Sequence, residues 1–340
     1  MLADLARSGD NKKTIVGAGG INPLVAMLSS DSPQAQAHAA GALWQLAALG
    51  NNRIPIAEAG AIAPLVAMLR SPSAEAQKFA TGALWHLASS ADNKVAMVSA
   101  GAIPLLIAVL ESRLAEAREY AAAVVSALAR SGGNGGNKKS IYNCGGIKPL
   151  VALLSDARGS TQRHAACALW GLSDGKDGVY DKQIAEAGAI PRLIAMLQLD
   201  DSETRGFAVA CMLCICKDPS AHSAILEAGG AELLQALAYG PATWLRGQCV
   251  EMLKLLGQEV PDPEDAPPVH LKMPSAPPLM ATASSAAKRT ARGYDDDNPH
   301  TTSRLSAAGS IASARPLSAR MKFHFFSFQI YGTTGFTGHA

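Results

Sequence analysis

The sequence predicts an all-α solenoid of three-helix repeats followed by a disordered C-terminal tail. Three observations carry that prediction. One block recurs six times: GAGGINPLVAML (17–28), EAGAIAPLVAML (58–69), SAGAIPLLIAVL (99–110), NCGGIKPLVALL (143–154), EAGAIPRLIAML (186–197) and EAGGAELLQALA (227–238). Its glycines are Gly19, Gly60, Gly101, Gly145, Gly188 and Gly229, spaced by 41, 41, 44, 43 and 41 residues, which is the period of a helical-repeat array. In the first five copies apolar residues fall at i, i+3, i+4 and i+7, as in Ile21, Leu24, Val25 and Leu28, and this marks one buried helical face.

Each unit is expected to open with a short helix. Asn11, Asn52, Asn93 and Asn137 lie eight residues before the glycine, where an N-cap is wanted. Ile15, Ile56, Met97, Ile141, Ile184 and Ile225 lie four before it and are expected to anchor that helix in the core. The glycine then permits a sharp turn. The second helix follows, with Pro23, Pro64, Pro104, Pro149 and Pro191 in its first turn, where a missing N–H costs nothing. The third helix is longer, as in PQAQAHAAGALWQLAAL (33–49). Ser32-Pro33 and Ser71-Pro72 are expected to start it, and Ala39, Gly41 and Ala42 to let neighbouring helices approach closely. No unit can bury its apolar face alone, so the units must stack.

The AG(G/A)I.PL(V/I).(M/L)L block and the ALW.LA ending of the third helix resemble the armadillo repeat family over residues 1–257. HEAT repeats are the runner-up, but they have two helices per unit and lack the glycine hinge. The resemblance implies a right-handed superhelix. The expected organisation is a partial third helix at 1–9, an array over 10–257 and a disordered tail at 258–340. The repeats of the array are expected at about 10–50, 51–91, 92–136, 137–179, 180–219 and 220–257.

LADLARSGDNKKTI (2–15) aligns with LWQLAALGNNRIPI (43–56), so the chain is expected to start within a third helix, as an N-terminally truncated fragment. PATWLRGQCVEMLKLLGQ (241–258) is expected to be a polar, capping third helix. The tail is rich in Pro, Ser, Ala and Thr. Within it AAKRTAR (286–292) reads as a solvated charge run. MKFHFFSFQIYG (321–332) is either a docking peptide or an unrelated extension of the reading frame.

A formal charge of +2 gives no reason to expect nucleic acid, which needs a concentrated basic face. The six cysteines lie in apolar stretches without framework spacing, so reduced thiols are expected, in a cytoplasmic or nuclear protein. No stretch reaches the ~18 apolar residues of a membrane span, and peripheral membrane attachment would need a segment upstream of Met1. GGNGGNKKS (132–140) lacks the Gly before Lys-Ser that a phosphate loop requires, and no strand precedes it. Cys211, Cys214, Cys216 and His222 lack paired zinc-ligand spacing, and Cys211 and Cys216 align with Ala42 and Ala47 as core positions. No catalytic residue, cofactor or metal is expected.

The resemblance implies that third helices line a groove taking an extended segment or a helix of a protein partner. The residues expected there follow from aligning the third helices. Gln45 and His86 come after Trp, with Ala127, Gly171 and Cys214 in the same column. His38, Phe79, Tyr120, His164 and Phe207 lie seven residues back, and Gln36, Gln77, Arg118, Gln162 and Arg205 nine back. Gly41, Gly82, Ala123, Cys167 and Ala210 are expected to form a small-lined floor, with Trp44, Trp85 and Trp170 turned toward the inter-repeat core. The import adaptors that share this fold carry Asn at the Gln45 position, and this chain has none there. The expected function is therefore a non-enzymatic interaction scaffold. The alternatives are an import-adaptor-type transport receptor and the regulatory repeat module of a ubiquitin ligase.

Overall fold

A computed structural model describes residues 8–131, 136–173, 178–239 and 245–260. Outside the described residues lie 1–7, the glycine run at 132–135, 174–177, the segment 240–244 with Trp244, and everything from 261 on. That last stretch includes the basic run 286–292 and the aromatic run 321–332.

Among the described residues every regular element is helical, and the helices fall into triplets. The first is α1 (Gly9–Gly17), α2 (Ile21–Met27) and α3 (Pro33–Ala47). Next come α4 (Arg53–Glu58), α5 (Ile62–Met68) and α6 (Ala74–Leu87), then α7 (Ala91–Ser99), α8 (Ala102–Val109) and α9 (Ala115–Ala129). The fourth triplet is α10 (Gly136–Asn143), α11 (Ile147–Leu153) and α12 (Gly159–Ser173). The fifth is α13 (Asp181–Glu186), α14 (Ala189–Leu197) and α15 (Ser202–Ile215). The sixth is α16 (His222–Glu227), α17 (Gly230–Tyr239) and α18 (Arg246–Leu255).

The turn between first and second helices is the same in every triplet. Gly19, Gly60, Gly101, Gly145, Gly188 and Gly229 all take the left-handed conformation, with φ from 74° to 84°. A Cβ there would cost ~1–2 kcal/mol. The residue after the glycine donates its N–H back to the carbonyl of the apolar anchor: Gly20 to Ile15 at 2.9 Å, Gly146 to Ile141 at 2.9 Å. The anchors Ile56, Met97, Ile141, Ile184 and Ile225 are fully buried, while Ile15 in the first triplet is partly buried. The second-helix stripe faces the core as patterned, with Val25 alone of its members only partly covered.

The asparagines do something other than the expected N-capping. Asn93 lies inside α7, whose N-cap is Ser90, and the Asn52 side chain caps nothing at α4. Instead Asn52 Nδ2 donates to Leu46 O at 2.9 Å and Asn93 Nδ2 to Leu87 O at 3.0 Å. Asn137 Nδ2 reaches Leu128 O at 3.4 Å. The third helix ends with carbonyls that have no intrahelical donor, and the buried amide supplies one. The start of α6 also differs from the Ser71-Pro72 expectation. Ser73 is the cap, accepting from Ala76 N at 3.3 Å, because a helix opening at Ala74 lets Ser71 Oγ accept from Ser73 N. Ser32 caps α3 as expected.

Third helices pack in series, α3 on α6, α6 on α9, α9 on α12 and α12 on α15. Gly41, Ala42, Gly82, Ala83, Ala122 and Ala123 are buried in these contacts. Cys211 and Cys216 are buried too, at the positions of Ala42 and Ala47. Helix α18 buries Cys249, Met252 and Leu253 and turns Glu251 and Lys254 outward.

The buried amide gives a direct stability test. Replacing Asn52 by Ala should cost ~1 kcal/mol, from loss of one of the hydrogen bonds that Leu46 O accepts, another coming from Leu49 N at 3.2 Å. Asn52→Asp should cost more, ~2–4 kcal/mol, because it buries a carboxylate against a helix C-terminus. Urea unfolding of the two variants would check the order.

Candidate functional site

The exposed surface of the third helices is built around indole rings. Trp44, Trp85 and Trp170 are half-buried and belong to that surface, contrary to the expectation that they point into the inter-repeat core. Trp44 meets Phe79 of the next repeat at 6.1 Å between ring centroids, and Trp170 meets Phe207 at 6.0 Å. Trp85 stacks on Tyr120 of the next repeat at 5.5 Å and 18°. The indoles also reach one repeat further: Trp44 to Tyr120 at 5.5 Å, and Trp85 to His164 at 6.3 Å, edge-on. Phe79, Trp44, Tyr120, Trp85 and His164 thus form one continuous run of rings, with His86 stacked on Trp85 at 4.7 Å.

Two sequence details explain the run and its end. Trp44 can cross α6 because Gly82 lies beneath it. A Cβ on Gly82 would sit 2.8 Å from Trp44 Nε1. Gly41 likewise has the Phe79 ring 3.5 Å from where its Cβ would be. The small residues are therefore a buried bed under the aromatic rings, and the floor of the groove is aromatic, not small-lined as expected. In the third repeat the Trp position is Ser126, which is buried, so no indole runs from α9 to His164 and Phe207. The rings accordingly divide into a five-membered run and the Trp170–Phe207 pair.

The remaining candidates separate into two groups. The row nine residues back is committed to loop structure. Gln36 Nε2 donates to Ser30 O at 2.7 Å, Gln77 Nε2 to Ser71 O at 3.0 Å and Gln162 Nε2 to Asp156 O at 2.8 Å. Arg118 Nη1 donates to Ser112 O at 3.0 Å, and Arg205 Nη2 to Asp200 O at 3.3 Å. Each side chain clamps the loop that leads into its own helix. Arg118 also pairs with Asp156 of the next repeat, at 2.7 Å. These five residues bind the scaffold, a role that the reach back to the loop, six residues in four of them and five for Arg205, could have revealed. By contrast Gln45 and His86 are half-exposed beside the rings, and His38 is exposed at the end of the row. Gly171, in the Gln45 column, is buried under the Arg130 side chain, whose Cγ lies 2.8 Å from the position of a Cβ.

The two histidines among the rings are held neutral. Burial, then the nearby cations Arg53 and Lys12, push His86 down to about 4. Burial, then Arg163 and Arg130, push His164 down to about 4. Both therefore present uncharged rings at neutral pH.

Charge is distributed unevenly along the third helices. Near their N-terminal ends, arginines are paired: Arg118 with Asp156, Arg158 with Glu119 at 3.3 Å, and Arg163 with Glu203 at 3.3 Å. Near their C-terminal ends Arg53 Nε donates to Ala47 O at 3.0 Å, and its Nη1 to Ser89 Oγ at 3.1 Å. Among the described residues no group of three or more His, Cys, Asp or Glu side chains could hold a metal ion, and no single helix is long and apolar enough to cross a membrane.

Stacked helix triplets with a left-handed glycine at each first hinge define a helical-repeat solenoid. The Armadillo/beta-catenin-like repeat model matches residues 10–48, 51–89 and 136–174, and the chain belongs to the armadillo-repeat family. Among solved structures it is similar to an engineered protein at 32% identity and a TM-score of 0.65, covering 76% of this chain and 63% of that one. It is also similar to a computationally designed armadillo repeat protein for modular peptide recognition, at 26% identity and a TM-score of 0.61, covering 69% and 99% of the two chains. A designed armadillo repeat protein in complex with the peptide (KR)4 matches at 27% identity and a TM-score of 0.54, over 63% and 90%. No curated protein matches the chain.

Two outcomes test this surface. Gly82→Ala should displace the Trp44 indole, shift tryptophan emission to the red and cost ~1–3 kcal/mol. Gly247→Ala, in a helix with nothing within 4 Å of the new Cβ, should be neutral or slightly stabilising. The histidines predict acid sensitivity. An unfolded imidazole takes up its proton near pH 6.5, whereas these folded rings hold out to about 4. The unfolded state therefore binds more protons between those values, and stability falls as pH drops through that window. Melting temperatures of the His86→Gln, His164→Gln double variant should depend less steeply on pH across that range.

Proposed function

We propose that the array is a protein-interaction scaffold that takes an extended peptide segment along the third-helix surface. The observation that carries this reading is the run of rings from Phe79 to His164, half-exposed and continuous across four repeats. Aromatic side chains with buried flanks give large contact area at little entropic cost. Repetition at a fixed period gives many modest contacts to a chain that is itself periodic. Designed armadillo repeat proteins similar to this chain are made for modular peptide recognition, and one is in complex with the peptide (KR)4, which supports a peptide partner. The contacting residues in this reading are Trp44, Phe79, Trp85, Tyr120 and His164, with His38, Gln45, His86, Trp170 and Phe207 extending the surface. Binding alone, without catalysis, is the role we assign. The six free cysteines fit a cytoplasmic or nuclear setting.

Selection of random linear peptides on the protein, followed by titration against Phe79→Ala, Tyr120→Ala, tests this. The double variant should keep its helical circular-dichroism signal and lose about tenfold or more in affinity, ~1.4 kcal/mol. Selected peptides that bind both proteins equally would reject the aromatic run as the site.

A further inference from the structure

The chemistry of the partner can be read from the rim of this surface, given that the aromatic run is the docking site. The designed neighbour holds an all-cationic peptide. Here the rim along the C-terminal ends of the third helices carries the opposite kind of site. Arg53 and Lys94 occupy one position, seven residues before the hinge glycine, in two consecutive repeats, while Lys12 at the same position of the first repeat is buried. Arg53 is fixed there by its bonds to Ala47 O and Ser89 Oγ, so its charge bridges the ends of α3 and α6. Arg130 lies at the same rim, its stem laid over Gly171.

Like charges are held together here. Arg53 and Lys12 both act on His86, and Arg130 acts on both Lys94 and His164. Among the described residues no carboxylate stands within ion-pair distance of Lys12, Arg53 or Lys94, whereas the arginines at the other end of the third helices are matched by Asp156, Glu119 and Glu203. The carbonyl ends of the helices offer these cations only a partial negative charge. Next to Arg53 and Lys94 in sequence, Ile54 and Val95 are 62% and 66% exposed, so apolar surface alternates with charge on these first helices.

We infer that the array binds an acidic extended peptide, its carboxylates on Arg53 and Lys94 of the second and third repeats and its apolar side chains on the Trp44–Tyr120–Trp85 rings. The carboxylates supply the counter-charge that Arg53 and Lys94 lack among the described residues, and the strength of the contact depends on salt, as exposed ion pairs do.

Binding of three synthetic peptides, followed by tryptophan fluorescence, tests this: one alternating glutamate and valine, one alternating serine and valine, and (KR)4. The glutamate peptide should bind at least about tenfold tighter than the serine peptide, ~1.4 kcal/mol, and weaken as salt is raised. Arg53→Gln with Lys94→Gln should remove that advantage while circular dichroism is unchanged. Lys94→Glu, at a lysine whose side chain has no hydrogen bond or ion pair among the described residues, should do so alone should the double variant unfold. Equal binding of the glutamate and serine peptides would overturn the inference. So would tighter binding of (KR)4, or of single-stranded oligouridine, than of the glutamate peptide. The reading of the aromatic run stands or falls separately: (KR)4 binding that is lost in Phe79→Ala, Tyr120→Ala would keep that site and reject the acidic partner. Binding of the glutamate peptide that ignores the ring substitutions but responds to the charge substitutions would reject the aromatic run itself, and the inference with it.

Discussion

Close approach of successive third helices is the constraint from which the rest of this array follows. Helix pairs usually sit 8–10 Å apart, depending on the side chains between them. Buried glycine and alanine residues line the contacts of α3, α6 and α9. That choice has an outward consequence. A helix with no side chain at Gly82 leaves a notch, and the indole of Trp44 fills it from the preceding repeat. The same residues that let the helices pack also let the rings lie down across them. Packing between repeats and the surface offered to a partner are thus a single feature of the sequence, seen from two sides.

Repeat arrays are commonly described by nearest-neighbour coupling alone. The indoles here add a longer link, since Trp44 and Trp85 each touch a ring two repeats on. Such pairs contribute about 0.5–1.5 kcal/mol beyond the area they bury. The first four repeats are therefore tied together more firmly on the ring-bearing face than a nearest-neighbour stack would be. The substitution of Trp by Ser126 in the third repeat stops the pattern, because the two rings that an indole on α9 would reach, His164 and Phe207, receive none from it. One residue type at one position of one repeat decides where the run of rings ends.

Much of the scaffold was legible in the sequence. The hinge glycines and the second-helix stripe depend on local backbone geometry and on a single 3.6-residue period, and both survive folding unchanged. What could not be read depends on relations between helices. A helical wheel places Trp44 about 100° round from Gln45, and that angle alone assigns it to another face. It does not say that a ring six residues before the next Trp will come to meet it. The asparagines were misassigned for a similar reason. Eight residues before the hinge is a fit place for a cap, but the carbonyl that each of these amides reaches belongs to the end of the helix before, six residues upstream. The glutamine and arginine row was read as groove because it is polar and periodic. Polar and periodic also describes a clamp on a recurring loop, and the loop carbonyls stand within reach in every repeat.

Electrostatics sharpens the distinction between fold and surface. The arginines near the N-terminal ends of the third helices oppose the helix dipole, and each is offset by an acid from a neighbouring helix or loop. These ion pairs run from repeat to repeat and serve the stack. Arg53 and Lys94, at the other ends, agree with the dipole, and the fold tolerates them with no acid within ion-pair distance among the described residues. Tolerance of that kind leaves charge available for a partner. Burial, and then the charge already present nearby, keep His86 and His164 neutral. The ring-bearing face thus stays apolar along its centre and positive along one rim. A partner that matches it must be apolar where it meets the rings and anionic where it meets the rim. This chain shares the architecture of designed armadillo proteins, one of which is held with the cationic peptide (KR)4, and the proposed acidic partner would set it apart in charge alone.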